Sequence, residues 1–253
     1  MVYTTYMRRN IKCTVEYDGT NYFGFQKQKD LPTIQGVIES TLSDFLNTEI
    51  IIDFAGRTDR GVHAFGQVIN FLVETEIPPK NFKEILNNRL PADIRIRKVE
   101  NEHLRFSSRF DAKKKIYFYV VNTSKDFPDP FMGRYSMWFP YNINRERLEE
   151  NIKLFIGKHN FSAFTKKEVR EAMSTVREIY STSVRRRGDF YYLFFEGKSF
   201  LRHQVRRMVG ALLKIERENL PKEILIEALN STKHPLGEER IPPNGLFLYK
   251  VFY

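Results

Sequence analysis

Ile50-Ile51-Ile52-Asp53-Phe54-Ala55-Gly56-Arg57-Thr58-Asp59-Arg60-Gly61-Val62-His63-Ala64, running on to Val68, Ile69, Phe71, Leu72 and Val73, reads as strand, loop and strand. Both flanks are short, apolar and rich in β-branched or aromatic residues, the composition of a strand. Between them Gly56 and Gly61, with Gly66 just beyond, supply backbone angles that other residues avoid, so the centre is a shaped loop. It presents Arg57, Asp59, Arg60 and His63 within seven residues. A loop held between two strands is a common place for chemistry. Flanking arginines favour the ionised form of a carboxylate, which leaves Asp59 fit to act as nucleophile or base. An Asx turn, in which Asp59 only hydrogen-bonds its own loop, explains the residue equally well.

Outward from this loop the elements fall into a repeated order. Ile11–Tyr17 reads as a strand, and Tyr17–Gln26 as a glycine-punctuated loop with three aromatics that look exposed. Thr33 is a helix N-cap, followed by Val37, Ile38, Leu42, Phe45 and Leu46 at helical spacing. After the central strands, Phe82, Ile85 and Leu86 suggest a short helix and Asp93–Val99 a strand. In the second half Lys115–Val121 alternates, with Ile116, Phe118 and Val120 facing one way and Tyr117, Tyr119 and Val121 the other. A long connection punctuated by Pro128, Pro130, Gly133 and Pro140 leads to a helix carrying Leu148, Ile152 and Phe155. Val176–Val184 and Phe190–Phe195 form a hairpin turned at Arg187-Gly188-Asp189. Leu201, Val205, Met208 and Leu212 then make an amphipathic helix, Pro221 opens another, and Leu246–Val251 is the closing strand.

Each half therefore reads β-α-β-β-α-β, the split βαβ or ferredoxin-like unit. The expected fold is α+β: two such domains with mostly antiparallel sheets, helices on one side of each and the other sides free. The boundary falls between Val99 and Lys115, giving an N-terminal domain of residues 1–105 and a C-terminal domain of residues 106–253. No flexible linker separates them, so a catalytic cleft between the domains is expected.

The chain carries 41 Lys and Arg against 31 Asp and Glu, a net charge of +10 that attracts polyanions. Nucleic acid is the leading partner, with aromatics among the cations to stack on unpaired bases, and an anionic membrane surface is the runner-up. Cys13 is the only cysteine, and no Cys/His cluster has zinc-ligand spacing, which points to a reducing cytoplasm and to no metal. Neither a signal peptide nor a bilayer-length apolar run is expected.

Besides Asp59, two residues stand out. Tyr117 lies near the cationic run Lys113-Lys114-Lys115, where it can stack on a base or serve as an ordinary core tyrosine. Arg206 sits one residue off the apolar stripe of its helix, with Gly210 one turn on leaving room for a close partner. Arg202, Arg207 and Lys214 read as the solvated side of that helix. His63 reads first as a loop anchor. Three functions fit these features: an RNA-modifying enzyme, an RNA-binding protein without chemistry, and a metal-dependent nuclease using Asp53 and Asp59.

Gly56–Ala64 resembles the signature loop of the tRNA pseudouridine synthase A family, and other stretches continue the match in the family's order. Tyr17–Gln26 with Thr33-Ile34-Gln35, then Asn88–Ile94, are similar to its earlier motifs. Phe106–Arg109 with Lys115–Tyr119, Phe200–Gly210, and Gly245–Leu248 resemble its later ones. The resemblance implies an isomerase that converts uridine to pseudouridine in the anticodon stem-loop of tRNA without a cofactor. It implies that Asp59 is the catalytic carboxylate, that Arg206 pairs with it, and that Arg57 helps hold the flipped nucleotide. Tyr117 would stack on the target base, with Lys115, Arg60 and His63 in the substrate-binding set. It further implies a cytoplasmic homodimer that engages tRNA and no membrane.

Overall fold

The computed structural model describes residues 7–128 and 130–253. It is a mixed α+β protein of two compact units. The first comprises the chain up to Lys113 together with Leu248–Tyr253, and the second Lys114–Phe247.

In the first unit the order is β1 (Arg8–Tyr17), α1 (Ile34–Leu46), β2 (Asp53–Phe54), β3 (His63–Glu74), α2 (Pro79–Arg89) and β4 (Ile94–Glu102). β1 lies between β3 and β4 and is antiparallel to both, so Cys13 faces Ile69 on one side and Val99 on the other. β2 pairs with β3, antiparallel as well. Along β1 the buried residues Ile11, Cys13, Val15 and Tyr17 alternate with half-buried Lys12, Thr14 and Glu16. Phe71 of β3, Phe82 of α2 and Phe45 of α1 meet through Phe82, with ring centroids 6.3 and 6.0 Å from it. Thr33 caps α1 as its sequence position predicts, its hydroxyl accepting from the Gly36 amide at 3.2 Å.

Three expectations change here. The run Ile50–Phe54 forms only the two-residue β2, because α1 takes its amides: Ile50 N donates to Ser43 Oγ and Ile52 N to Glu39 Oε1. The aromatics of the Tyr17–Gln26 loop are not exposed; Tyr22 and Phe25 are buried, and Phe25 packs between Tyr17 and Phe54. Nor is the sheet bare on its other side. Lys12 lies over the rings of Phe106 and Tyr253, and the buried pair Asn10 and Asn70 binds the backbone of His103, Phe106 and Ser108. These bonds tie residues 103–108 to the first unit, which runs to Lys113.

The second unit holds β5 (Lys114–Asn122), α3 (Pro130–Tyr135), β6 (Met137–Trp138), α4 (Arg145–Lys153), β7 (Gly157–Asn160), a 3-10 turn (Ser162–Phe164), α5 (Lys167–Ala172), β8 (Val176–Arg187), β9 (Phe190–Gly197), α6 (Gln204–Glu218), α7 (Glu223–Leu229) and α8 (Pro235–Glu238). β10 (Leu246–Phe252) begins in this unit and continues in the first. Strands β5, β9, β8 and β7 pair in that order, all antiparallel. Gly188, with φ +58°, turns the β8–β9 hairpin where the sequence predicts it. The faces of β5 part as its alternation predicts. Phe118 and Val120 join Phe247, with Tyr135, Phe190, Tyr192 and Phe194 packed against them, so this face too is covered. α4 is fixed to α6 by Glu216, whose buried carboxylate takes Arg147 Nε at 2.9 Å, Arg147 Nη2 at 3.0 Å and the Asn144 amide at 2.8 Å.

Candidate functional site

In the first unit, the Asp59 loop joins β2 to β3 and is shaped by close approaches of backbone to backbone. The Ala55 amide donates to Val68 O at 2.9 Å, and Gln67 Nε2 to Gly56 O at 2.7 Å. Thr58 is buried, its hydroxyl 2.8 Å from Tyr17 Oη and its carbonyl accepting from the Phe25 amide at 3.1 Å. Burial pushes the Tyr17 phenol above its ordinary range, so it remains a neutral hydrogen-bonding group. The Val62 amide returns to Asp59 O at 3.1 Å, closing a turn in which Gly61 has φ +75°. Gly19 lies against the same turn: a Cβ there would be 2.0 Å from Val62 O. Gly24, at φ +99°, would put a Cβ 2.9 Å from Thr58 O. Glycine is required at both positions because backbone occupies the space of a side chain.

His63 is buried at the start of β3, and its Nδ1 is 3.1 Å from both Gly19 N and Asp18 Oδ1. One nitrogen cannot accept from the amide and donate to the carboxylate together, but either contact fastens the loop to the Asp18–Gly19 turn. Asp18 also accepts from Thr20 N and Oγ1 at 3.0 and 2.6 Å. The Asn88–Ile94 stretch is joined to the same turn, since Asp18 N donates to Asp93 O and Tyr22 Oη to Asp93 Oδ1. The Tyr17–Gln26 stretch is thus bound on one side to the Asp59 loop and on the other to Asn88–Ile94. Asp59 is half-buried, whereas Arg57 and Arg60 are exposed. The Arg60 guanidinium lies 4.2 Å above the Phe23 ring, a cation–π contact.

In the second unit, β5 sets Tyr117 opposite Phe195 of β9, buried, with its ring edge-on to Phe200 at 5.1 Å. Lys115 is the second residue of the same strand and is half-buried. Arg206, in the first turn of α6, is more buried than its boundary position predicts, 7% exposed. Its Nε donates to Ile241 O at 2.8 Å. The segment that supplies this carbonyl is itself clamped. Tyr119 Oη donates to Pro242 O at 2.7 Å, and a Cβ at Gly245 would be 2.7 Å from the Tyr119 ring. Burial pushes the Tyr119 phenol up, against a smaller pull down from Arg206. The partner expected beside Gly210 is Glu239, whose carbonyl a Cβ would meet at 2.3 Å.

Sequence reasoning did not single out Tyr119 or Ile241 as supports of Arg206. The alternation of β5 carried a signal for Tyr119, but a main-chain carbonyl has none. Arg207 also departs from expectation. It is half-buried rather than solvated, with Nη1 donating to Gly237 O at 3.0 Å and Ala163 O at 3.5 Å. Among the described residues no group of three or more His, Cys, Asp and Glu is placed to hold a metal ion, and no helix is long and apolar enough to cross a membrane.

A family model described as tRNA pseudouridine synthase matches residues 14–111 and 152–253. A tRNA pseudouridine synthase A of Pseudothermotoga lettingae is 42% identical over 239 residues, 94% of this chain and 96% of that one. One of Borrelia turicatae is 38% identical over 247 residues, 97% of this chain and 99% of that one. Among solved structures, an archaeal box H/ACA sRNP Nop10–Cbf5 complex aligns with 79% of this chain and 43% of that chain, at 13% identity and a TM-score of 0.35, too slight a likeness to argue from. Motifs in order, the loop they build, and full-length relatives lead to one assignment: the chain belongs to the tRNA pseudouridine synthase family, isomerases that convert uridine in tRNA to pseudouridine.

Proposed function

We propose that the chain isomerises uridines of the tRNA anticodon stem-loop, with Asp59 as the catalytic nucleophile. The observation that carries this reading is the close packing of the family-like Tyr17–Gln26 stretch on the Asp59 loop, through the Gly19–Val62 and Gly24–Thr58 approaches, with the Asn88–Ile94 stretch joined behind it by Asp93. So much shaping of backbone around one half-buried carboxylate serves its aim better than an Asx turn would require.

The reaction breaks the C1′–N1 glycosidic bond, turns the uracil while it is held, and forms a C1′–C5 bond. N1 gains a proton and C5 loses one, so the change is redox-neutral and calls for no co-substrate. A stacked uridine is out of reach and must be flipped into the site. An ionised Asp59 would attack C6 of the base or act at the sugar, at C1′ or the 2′ proton. Arg206, as its guanidinium partner, would keep it ionised, since removal from water alone favours the neutral acid. Tyr117 would stack on the uracil, and Arg57, Arg60 and Lys115 would hold the nucleotide and its phosphates. His63 would serve the same end through the loop it fastens.

The strand orders support two split βαβ domains, one carrying Asp59 and the other Tyr117 and Arg206. In the first unit β4, β1, β3 and β2 follow the antiparallel order that such a unit needs. In the second, β5, β9 and β8 follow three of its four places. We place the enzyme in the cytoplasm as a homodimer, on the family resemblance; a monomeric mass by light scattering would remove the dimer.

The deciding experiment is tritium release from unmodified tRNA labelled at uridine C5, in chelator, comparing wild type with Asp59→Asn. C5 becomes the glycosidic carbon and must give up its hydrogen. Release by wild type and none by a variant that still binds tRNA is the expected result. Turnover retained by Asp59→Asn removes the nucleophile, and binding without release by wild type makes the chain an RNA-binding protein.

A further inference from the structure

One pocket of the second unit is untouched by the reading above. It is open, about 360 Å³ in volume, and lined by Thr165, Lys166, Lys167, Glu168, Arg170, Arg207, Lys233 and Glu238. Five cations thus face two carboxylates. Lys167 is 3.7 Å from Glu171 and Lys233 is 3.9 Å from Glu238, both loose and exposed pairs. Lys166, Arg170 and Arg207 have no carboxylate within ion-pair distance among the described residues.

Both arginines are nevertheless held in place. Arg170 Nη1 donates to Ser162 O at 3.3 Å and Thr232 O at 3.2 Å, while Arg207 Nη1 donates to Gly237 O and Ala163 O. Carbonyl oxygens orient a guanidinium without cancelling its charge. The backbone is built for this: a Cβ at Gly237 would be 2.5 Å from Ala163 O, so only glycine lets these two carbonyls converge on Arg207. Arg207 Nε is buried and has no hydrogen-bond partner among the described residues. Burial and the nearby Arg170 and Arg240 work against the Arg207 charge, and Glu238 only partly offsets them. A positive site held at such cost, with two fixed guanidinium groups and no carboxylate paired to either among the described residues, calls for an anion. Planar guanidinium forks beside lysines match the oxygens of a phosphate.

We propose that this pocket seats a backbone phosphodiester of the tRNA, a second RNA contact on a different face of α6 from Arg206. This identification of the ligand rests on the tRNA reading above. Arg206 and Arg207, adjacent in sequence, then divide the work, one turned to Ile241 and the other to this pocket.

The test is tRNA affinity against salt concentration for wild type and for Lys166→Gln/Lys167→Gln/Lys233→Gln, with Arg207→Gln as a second variant. The three lysines are exposed or half-exposed and make no close ion pair, so the triple variant keeps the fold even if Arg207→Gln does not. Loss of a phosphate contact flattens the slope of log K against log salt by about 0.7–0.9 per phosphate. The expected result is an affinity about tenfold weaker at low salt and a slope smaller by about 1. Unchanged affinity and slope in the triple variant overturn the proposal. So does loss of inorganic phosphate binding with tRNA binding intact, which would mark a free-anion site. Tritium release by the same wild-type preparation separates the two readings. Release by wild type, with affinity and salt slope unchanged in the variants, removes the pocket and keeps the isomerase; weakened binding with a flatter slope in the variants, but no release by wild type, does the reverse.

Discussion

The Asp59 loop and the Arg206 helix hold an ionisable side chain by opposite means. The loop has no regular structure of its own, and its shape comes from backbone packed on backbone where Gly19 and Gly24 leave space. Arg206 begins from a rigid helix, and what must be fixed is only the far end of a long side chain, which Ile241 O catches. The first solution is sensitive to any added atom along several stretches. The second is sensitive to the guanidinium itself and to the few groups that clamp the Ile241–Gly245 segment. Sequence displays the first kind of device openly, since it is written in glycines, and conceals the second.

Substitutions in the two regions should therefore fail differently. The largest effect belongs to the loop's own carboxylate: Asp59→Asn should lower the rate of tritium release by at least about 10³-fold while tRNA binding persists. Next, Arg206→Lys keeps the charge but loses the planar fork and the Nε that reaches Ile241, so kcat should fall about 10²-fold. Wild-type turnover by this variant would remove the proposed pairing with Asp59. Gly19→Ala should break the loop without touching a reacting group. Its Cβ would run into Val62 O, and an overpacked site of this kind costs about 2–3 kcal/mol, readable as a lower urea midpoint together with lost activity. An unshifted midpoint would show that the loop can yield to an added atom. The mildest is Tyr119→Phe, which leaves Pro242 O without its donor. A cost of about 1–2 kcal/mol in stability is expected, with kcat reduced several-fold and KM held, since Tyr119 acts through Arg206. A change confined to stability would make Tyr119 a structural residue only.

Much of the fold was legible because it is periodic. The alternation along β1 and β5, the capped stripe of α1 and the glycine of the β8–β9 hairpin all report local chemistry, and they lie where that chemistry predicts. What misled was competition from outside a segment. Ile50–Ile52 has strand composition, but Ser43 and Glu39 of α1 claim its amides. The aromatics after Tyr17 follow glycines and look like surface, yet Phe25 fills a gap between Tyr17 and Phe54 that only the folded loop creates. Short elements in the long connections, such as α3, β6 and β7, leave too few residues for a period to register. For the candidate site, residue types and loop shape were readable, whereas the carbonyls holding Arg206 and Arg207 come from distant segments without a signature.

The division of β10 bears on how the protein is made. The first unit closes on itself only when Leu248–Tyr253 has arrived beside β3, and all of the second unit lies in between. A ribosome releases residues 114–247 before that strand, so the second unit can collapse around its own core while one edge of β3 is covered only by the two-residue β2. Closure of so long a loop is slow, and an open edge invites pairing with another chain. The nascent first half is thus the aggregation-prone stage of biogenesis, and a chaperone's interest in this chain would centre on β3.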